Sequence, residues 1–267
     1  MIRQRLITAL VLAALLLGAI FYLPPLWLGA ALGVLLVGGF WEWAGFAGFS
    51  TPAQRAPYVV SGALLLTLCH VAVFRFAISP VVILGPAAIW WAAALVWVIR
   101  YPTPVSAMLV HAASVLVLVP AWLGLVLLAQ RVPDGPLWLF CAFLMVWAAD
   151  TGAYFSGKAF GKNKLAPAVS PGKTWEGVAG GAVLCGAVAA GMAPLLGMPP
   201  GPFGLCAIAI ALASVVGDLI VSLFKRNAGL KDSGKLFPGH GGILDRIDSV
   251  CAAAPLLALG MWLVDRA

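Results

Sequence analysis

The sequence predicts an all-α protein, a polytopic membrane helix bundle with about nine transmembrane helices. Of its 267 residues, 63% are apolar and only 9% are charged, and the mean hydropathy is +1.05. Soluble domains carry about 25% charged residues. Apolar runs of about 20 residues, the length that one helix needs to cross the hydrocarbon core, recur along the chain. Because lipid offers no hydrogen-bond partners to backbone amides, such runs form helices.

The expected spans follow these apolar runs in chain order. They lie at residues 1–23, 26–48, 57–77, 80–99, 105–128, 137–157, 174–197, 203–224 and 247–264. The first run resembles a signal peptide because Arg3 and Arg5 precede it. No small-x-small cleavage site comes before Pro24, however, and the run is long for a signal, so we predict an uncleaved first span.

Polar residues concentrate in the second half of the chain. We expect an N-terminal transmembrane region over residues 1–135 and a C-terminal transmembrane catalytic region over residues 136–267. The catalytic region contains two polar loops, at residues 158–173 and 225–246. All lysines of the protein lie in or beside these loops, which favours a localised anionic substrate and argues against nucleic acid as a partner.

The distribution of cations predicts the orientation in the membrane. When the loops are assigned alternately to the two sides, all of the 16 lysines and arginines except Arg75, Arg131 and Arg266 fall on one side. Cytoplasmic loops carry such an excess of positive charge. We therefore expect a multi-pass integral membrane protein of the bacterial inner-membrane type, with its N-terminus and both polar loops, and any site that these loops form, on the cytoplasmic side.

Three features of the apolar runs have more than one interpretation. The motifs Gly29-x-x-x-Gly33 and Gly177-x-x-x-Gly181 bring helices close together, and we expect packing within one chain, with a homodimer left open. Glu42 lies between two tryptophans in an apolar run, either as an interfacial residue or as the partner of a cytoplasmic arginine. The cysteines stand singly, with no C-x-x-C, and are expected to be small core residues.

Two aspartates lie inside predicted spans, where an ionisable residue indicates a functional site. Asp150 precedes Lys158 by eight residues, which is about 12 Å of helix at 1.5 Å per residue. Asp218 precedes Lys225 by seven residues and so lies at a similar depth. Together with Ser222, Asp218 and Lys225 follow a helical spacing that forms a polar stripe on an apolar helix.

Asp245 and Asp248 are spaced by three at the start of the last span and share one face. With Asp218 they would form a carboxylate cluster suited to Mg²⁺, which prefers oxygen ligands and keeps waters for phosphates. The alternative is that these acids pair with Arg226 or Arg246.

The polar loops also contain candidate anion-binding residues. Lysines provide compact positive charge, and glycines allow backbone amides to approach a phosphate. The second loop combines Lys231, Lys235 and His240 with a Gly-rich turn, and the first contains Ser170-Pro-Gly-Lys-Thr-Trp-Glu-Gly177. This is not a Walker A motif, because Pro167 stands where the first glycine is needed.

The segment Ser222–Asp248 reads S-x-x-K-R-x4-K-D-x-G-x2-F-P-x-H-G-G-I-x-D-R-I-D. It resembles the signature of the phosphatidate cytidylyltransferase (CDP-diacylglycerol synthase) family, and the segment Asp150–Gly177 is also similar to that family. The resemblance covers the C-terminal 120 residues or so. It implies that CTP and phosphatidate, a membrane lipid, react to CDP-diacylglycerol and pyrophosphate in phospholipid biosynthesis, with Mg²⁺ as cofactor; a second metal ion or K⁺ stays open.

The resemblance implies the following roles for residues of this chain. The catalytic residues are Asp218, Lys225, Asp245 and Asp248, of which Asp218, Asp245 and Asp248 hold the metal. The substrate-binding residues are Asp150, Lys173, Glu176, Ser222, Arg226, Lys231, Lys235, His240, Gly241, Gly242 and Arg246.

Two other functions are alternatives to this one. A CTP-dependent kinase of a polyprenol or another lipid alcohol would release CDP, and it would need a base such as His240 or Asp150 to deprotonate the alcohol. An ion transporter would use the buried aspartates, but transporters often repeat their broken helices in both halves of the chain. Here the polar residues crowd into one half and no repeat is apparent.

Overall fold

The computed structural model describes residues 2–103, 105–234, 236 and 241–265, with side chains from residue 7 onward. Within this part of the chain the helices are Ile2–Tyr22 (α1), Pro25–Phe46 (α2), Pro52–His70 (α3), Val81–Ile99 (α4), Ala107–Ala129 (α5), Gly135–Phe160 (α6), Trp175–Met192 (α7), Pro200–Asn227 (α8) and Leu244–Val264 (α9). A π-helical turn, Val71–Arg75, extends α3, and a 3₁₀ turn, Ala193–Leu196, extends α7.

The helices confirm the predicted all-α membrane bundle. Eight of them, α2 to α9, are long and apolar enough to cross a membrane, and the apolar part of α1 with described side chains, Ile7–Tyr22, is shorter. Counted with the turns that extend α3 and α7, the helices begin and end within three residues of the expected spans, except that α3 begins at Pro52 where the span was expected at 57. Proline and capping residues set many of these boundaries. Proline occupies the first turn of α2, α3, α6 and α8, where its missing N–H costs no helical hydrogen bond.

Helix α5 is the centre of the bundle. It packs against α2, α3, α4, α6 and α9, and most of its side chains are buried. Two indole hydrogen bonds join α5 to α2. Trp43 Nε1 of α2 donates to Val110 O of α5 at 2.9 Å, and Trp122 Nε1 of α5 donates to Gly29 O of α2 at 3.0 Å. Helix α6 begins at Gly135, and α9, from the region expected over residues 136–267, packs against α5. The two regions therefore share one core.

Both glycine motifs contact helices of the same chain. A Cβ added at Gly181 would lie 2.6 Å from Ala149 O, and one at Gly177 would lie 3.0 Å from Ala153 O, so α7 lies against the backbone of α6. Gly29 faces Val126 and Gly33 faces the Trp122 indole. These contacts agree with the interpretation that the motifs pack helices within the monomer.

The sequence analysis did not predict a β-hairpin between α6 and α7. Its strands are Lys164–Ala166 (β1) and Ser170–Thr174 (β2), and they pair antiparallel. Proline and glycine within β2 hid the strand, because both residues are depleted in strands. The hairpin ends where the Thr174 hydroxyl accepts a hydrogen bond from Gly177 N at 3.1 Å and so caps the start of α7.

The far end of the bundle carries its own ion pair. Arg131, just after α5, binds Asp265, just after α9, through two bonds of 2.5 and 2.6 Å. The guanidinium also lies 4.7 Å from the centre of the Trp138 ring. Because α9 begins beside Asp245 and ends beside Asp265, this pair lies at the opposite end of α9 from the polar segment.

Candidate active site

A polar cavity of about 500 Å³ lies where the β-hairpin meets the ends of α6, α8 and α9. Its lining residues come from both segments that the sequence analysis singled out: Asp150, Ala153, Tyr154, Gly172, Lys173, Thr174, Gly177, Val178, Val215, Asp218, Lys225, Asp232, Asp245, Arg246, Asp248 and Ser249. The two polar segments thus form the walls of one cavity.

Lys173 at the end of the hairpin reaches across to α8. Its Nζ lies 2.7 Å from Asp218 Oδ2 and donates to Val215 O at 3.4 Å. The other oxygen, Asp218 Oδ1, accepts a hydrogen bond from Ser222 Oγ at 3.1 Å, one turn along α8. The side chains of Lys173 and Asp218 remain 24% and 34% exposed. A ligand in the cavity can therefore reach this pair.

A second pair joins α8 to α9 and is more deeply buried. Lys225 Nζ lies 2.7 Å from Asp245 Oδ1, and the side chains are 11% and 8% exposed. Asp245 Oδ2 accepts hydrogen bonds from Ser233 N at 2.9 Å and from Gly242 N at 3.0 Å. Gly241 has a φ of +80°, and a Cβ there would lie 2.5 Å from Asp245 Oδ2. Glycine thus permits the turn that delivers the Gly242 amide.

Asp248 lies one turn beyond Asp245 on α9 and is buried. Its Oδ1 accepts a hydrogen bond from Ser249 N at 2.8 Å, and its carboxylate is close enough to Asp218 to be repelled by it. Helices α8 and α9 approach each other so closely here that a Cβ at Gly217 would collide with Asp248 O. Asp150 from α6 is attracted by Lys173 and Arg246 and repelled by Asp218. With Asp232 and Asp245, five carboxylates therefore face one cavity together with its cations.

The carboxylate oxygens of the cavity are the kind of ligand that a divalent cation such as Mg²⁺ takes. Mg²⁺ is commonly held by one or two carboxylates together with substrate phosphates, rather than by an all-protein cage. Among the described residues, no group of three His, Cys, Asp or Glu side chains has the spacing of a metal site. Asp218 and Asp248, which repel each other, are the pair that a cation would stabilise.

Asp245 and Asp218 each have partners within the protein for both of their oxygens, whereas Asp248 accepts from Ser249 N through Oδ1. The assignment of all three aspartates to the metal stays a prediction. The alternative considered for the aspartates, pairing with Arg226 or Arg246, is also not what the structure shows, because the ion-pair partners of Asp218 and Asp245 are lysines.

Some of the predicted substrate-binding residues lie outside the cavity. Glu176 accepts hydrogen bonds from Asn163, at 2.8 Å from its Nδ2 and 3.2 Å from its backbone N, and so closes the base of the hairpin. Arg226 is exposed and donates to Val169 O and Leu230 O at 3.5 Å. Lys231 lines a neighbouring cavity beside Arg55. Lys235 and His240 lie outside the described residues.

Glu42, Asp232 and Ser233 were not predicted as site residues. Asp232 lines the cavity, and Ser233 contacts Asp245. The sequence leaves Glu42 as an interfacial residue or an arginine partner, but its carboxylate accepts hydrogen bonds from Ser233 Oγ and from the backbone at the start of α9. The W-E-W sequence marked Glu42 as unusual, yet no local pattern could identify partners so distant in sequence.

The bundle and its charged cavity define a class of membrane protein that acts on an anionic substrate. The model of the cytidylyltransferase family matches residues 3–264, and the chain belongs to this family. It is 43% identical to a phosphatidate cytidylyltransferase of Pseudomonas aeruginosa over 98% of this chain and 97% of that protein. It is 37% identical to one of Haemophilus influenzae over 97% and 98% of the two chains. The resemblance inferred from the two polar segments is thus confirmed.

A third relative matches over a shorter stretch. The chain is 48% identical to a phosphatidate cytidylyltransferase of Brucella suis over 140 residues, which is 51% of each protein.

Proposed function

We propose that this protein transfers the cytidylyl group of CTP to phosphatidate, giving CDP-diacylglycerol and pyrophosphate in phospholipid biosynthesis. The observation that carries the proposal is the cavity in which Lys173–Asp218 and Lys225–Asp245 meet. It lies at the ends of membrane helices, where a lipid phosphate and a soluble nucleotide can meet. The near full-length similarity to phosphatidate cytidylyltransferases supports the same reaction.

The reaction needs charge neutralisation and positioning more than proton transfer. A phosphomonoester has a second pKa of about 6 and is largely dianionic at neutral pH, so no general base has to activate phosphatidate. A phosphatidate oxygen forms a bond to the α-phosphorus of CTP while the bond from that phosphorus to the α,β-bridging oxygen breaks. The bonding electrons leave with pyrophosphate. Lys173, Lys225 and Arg246 line the cavity and would bind the phosphates in line for this exchange.

Asp218, Asp245 and Asp248 would hold Mg²⁺. Mg²⁺ bound there would neutralise charge on the triphosphate and on the departing pyrophosphate. The protein residues around it set the geometry: Lys173 and Ser222 fix the carboxylate of Asp218, and Ser249 N fixes that of Asp248.

The active site faces the cytoplasm in this proposal. Helices α6 and α8 end at the cavity, where Lys158, Lys225 and Arg226 lie in their last turns. The opposite ends of α5 and α9 carry Arg131 paired with Asp265. A cytoplasmic cavity agrees with the positive-inside rule and with the place where CTP is available.

One experiment tests the reaction. Purified protein is incubated with cytidine-labelled CTP, phosphatidate and Mg²⁺, and the lipid extract is scored for label. We expect a lipid-soluble cytidine product together with pyrophosphate. Release of CDP and a phosphorylated lipid instead would identify a CTP-dependent lipid kinase, and the absence of any nucleotide turnover would contradict both enzymes.

A further inference from the structure

Glu42 is a buried acid in a membrane helix, and the proposed chemistry does not use it directly. It lies near the end of α2 and is 5% exposed. A carboxylate in such a place is costly unless hydrogen bonds satisfy its oxygens. Its partners therefore indicate what it does.

Two of these partners are the amides at the start of α9. Glu42 Oε1 accepts from Ile243 N at 2.8 Å, and Oε2 accepts from Leu244 N at 2.9 Å. The first amides of a helix have no partners within it, and the helix start carries partial positive charge. Helix α9 has no side-chain cap of its own at Ile243. A carboxylate from α2 thus supplies the cap that the local sequence lacks.

The third partner links Glu42 to the buried ion pair. Ser233 Oγ lies 2.7 Å from Glu42 Oε2 and 2.9 Å from Asp245 Oδ2, and Asp245 N donates to this hydroxyl at 3.3 Å. Asp245 in turn contacts Lys225. A continuous chain of polar contacts therefore runs from α2 through Ser233 to the cavity.

The backbone around this chain is fitted to Glu42. A Cβ added at Gly234 would collide with Glu42 Oε1, and one added at Gly242 would collide with both carboxylate oxygens. Gly234 follows Ser233, and Gly242 precedes Ile243 at the start of α9. The backbone at both places therefore approaches the same carboxylate directly.

We infer that Glu42 is a positioning residue of the active site. It fixes Ser233 and the start of α9, and through them it holds the carboxylate of Asp245 against Lys225 in the cavity. The inference rests on the proposed cytidylyl transfer. Groups that orient the residues of a site in this way typically contribute about 10–100-fold to activity.

The first test is Glu42→Gln, which keeps the shape of the side chain. One carboxylate oxygen becomes an NH₂ group that cannot accept from Ile243 N or Leu244 N. We expect kcat to fall about tenfold or more, with the KM for phosphatidate unchanged. Amide hydrogen exchange of residues 241–250, measured in detergent, should rise while exchange in α5 stays the same.

The second test is Ser233→Ala, alone and combined with Glu42→Gln. The single change cuts the contact between Glu42 and Asp245 but leaves the cap of α9 in place, so we expect a lower kcat again. If Glu42 acts through Ser233, the double variant should be about as slow as the slower single variant, because residues that act as a unit are not additive.

Tyr58→Phe is the matched control for loss of a polar contact between helices. It removes the hydroxyl that lies 2.5 Å from Ser114 Oγ, between α3 and α5, and neither residue lines the cavity. We expect a loss of thermal stability without a loss of kcat. If kcat falls in this variant in parallel with its stability, then any loss of stability lowers kcat. The effect of Glu42→Gln would then not be specific to the active site, and the inference would be overturned.

Three other outcomes would overturn it: wild-type kcat in Glu42→Gln, multiplied losses in the double variant, or unchanged exchange of residues 241–250. If Glu42→Gln does not fold, Ser233→Ala becomes the test of the inference. Wild-type kcat in Ser233→Ala would contradict the inference. The exchange measurement does not depend on the reaction. A wild-type protein that makes no CDP-diacylglycerol would therefore contradict the proposed function, while exchange would still show whether Glu42 holds the start of α9.

Discussion

Lys173 and Lys225 each contact an aspartate of the cavity, but they differ in burial. The Lys225–Asp245 pair is nearly closed off by protein, whereas the Lys173–Asp218 pair is about a quarter to a third exposed. Removing one partner of a buried pair typically costs about 3–5 kcal/mol of stability, because it leaves an uncompensated charge. Lys225 therefore holds α8 and α9 together as well as facing the cavity, whereas Lys173 is the lysine that can exchange its aspartate for a phosphate.

Lys173→Met tests this division of roles. The substitution keeps the length of the side chain but removes the charge that would bind a phosphate, so we expect kcat/KM for CTP to fall about 100-fold, the scale of a lost charged contact of roughly 3 kcal/mol. Steady-state kinetics with varied CTP measures it. Lys164→Met, at an exposed position of the same hairpin, is the control and should retain wild-type kinetics.

Asp218→Asn tests the carboxylate that contacts Lys173. The amide keeps the shape but cannot neutralise a cation, so Mg²⁺-dependent release of pyrophosphate should be abolished while the protein stays folded in detergent. Pyrophosphate is measured across an Mg²⁺ titration. Asp265→Asn, which breaks the ion pair with Arg131 at the far end of α9, should leave this release intact. Near-wild-type activity of Asp218→Asn would contradict its assignment to the metal.

The lysines of the cavity and its aspartates other than Asp232 were predictable, whereas Glu42 was not understood from sequence. Asp150 and Asp218 stand out because a charge inside an apolar run is rare and needs a reason. Glu42 stands out in the same way, but its partners are two backbone amides and a serine, groups that any segment of the chain could offer. Only the packing of α2 against α9 selects them.

Among the structural elements, the hairpin and helix α7 decide where Lys173 lies. Strand β2 leads directly into α7, and α7 is held against α6 by glycines at the contact, Gly177 and Gly181. Close approach of two helix backbones at small residues is typical of membrane proteins. A shift of α7 would therefore move the end of the hairpin and, with it, the lysine.

Gly181→Ala tests this contact. Its Cβ would lie 2.6 Å from Ala149 O, so α6 and α7 must separate, and we expect a loss of about 1–3 kcal/mol of stability together with lower activity. Gly191→Ala in the same helix is the control, because no atom lies within 4 Å of its added Cβ. Thermal unfolding in detergent compares them; equal melting temperatures would contradict the packing argument.

Helix boundaries could be predicted more closely than the hairpin, for physical reasons. Proline and capping residues act within a few positions of a helix end, as Thr51 and Gln54 do in the capping box of α3. The strands of the hairpin have no such signal. Three and five residues long, they are stabilised by the Asn163–Glu176 contact and by the start of α7 rather than by their own sequence.

For the molecule as a whole, the cavity and the Arg131–Asp265 pair lie at opposite ends of the bundle. A helix of 21 residues such as α9 spans about 30 Å at 1.5 Å per residue, which is the thickness of the hydrocarbon core. The two ends therefore face opposite sides of the membrane.

Cysteine labelling tests which side the cavity faces. Val132→Cys reports on the end that carries Arg131, where Val132 is 90% exposed, and Lys164→Cys reports on the hairpin. Cys206, the exposed native cysteine among the described residues, is first replaced by serine. With a membrane-impermeant maleimide, we expect Val132→Cys to react in intact cells and Lys164→Cys only after permeabilisation. The reverse pattern would contradict a cytoplasmic active site.

Glu42 is synthesised well before the backbone amides that it binds in the folded protein. Glu42 and Ile243 are 201 residues apart, so at about 5–20 residues per second the ribosome completes α2 roughly 10–40 s before it completes the start of α9. During that interval the carboxylate has none of its final donors, and its cost in hydrocarbon is highest at the bilayer centre. Glu42 lies near the end of α2, so until α9 is made, water or lipid headgroups can supply the hydrogen bonds that its carboxylate needs.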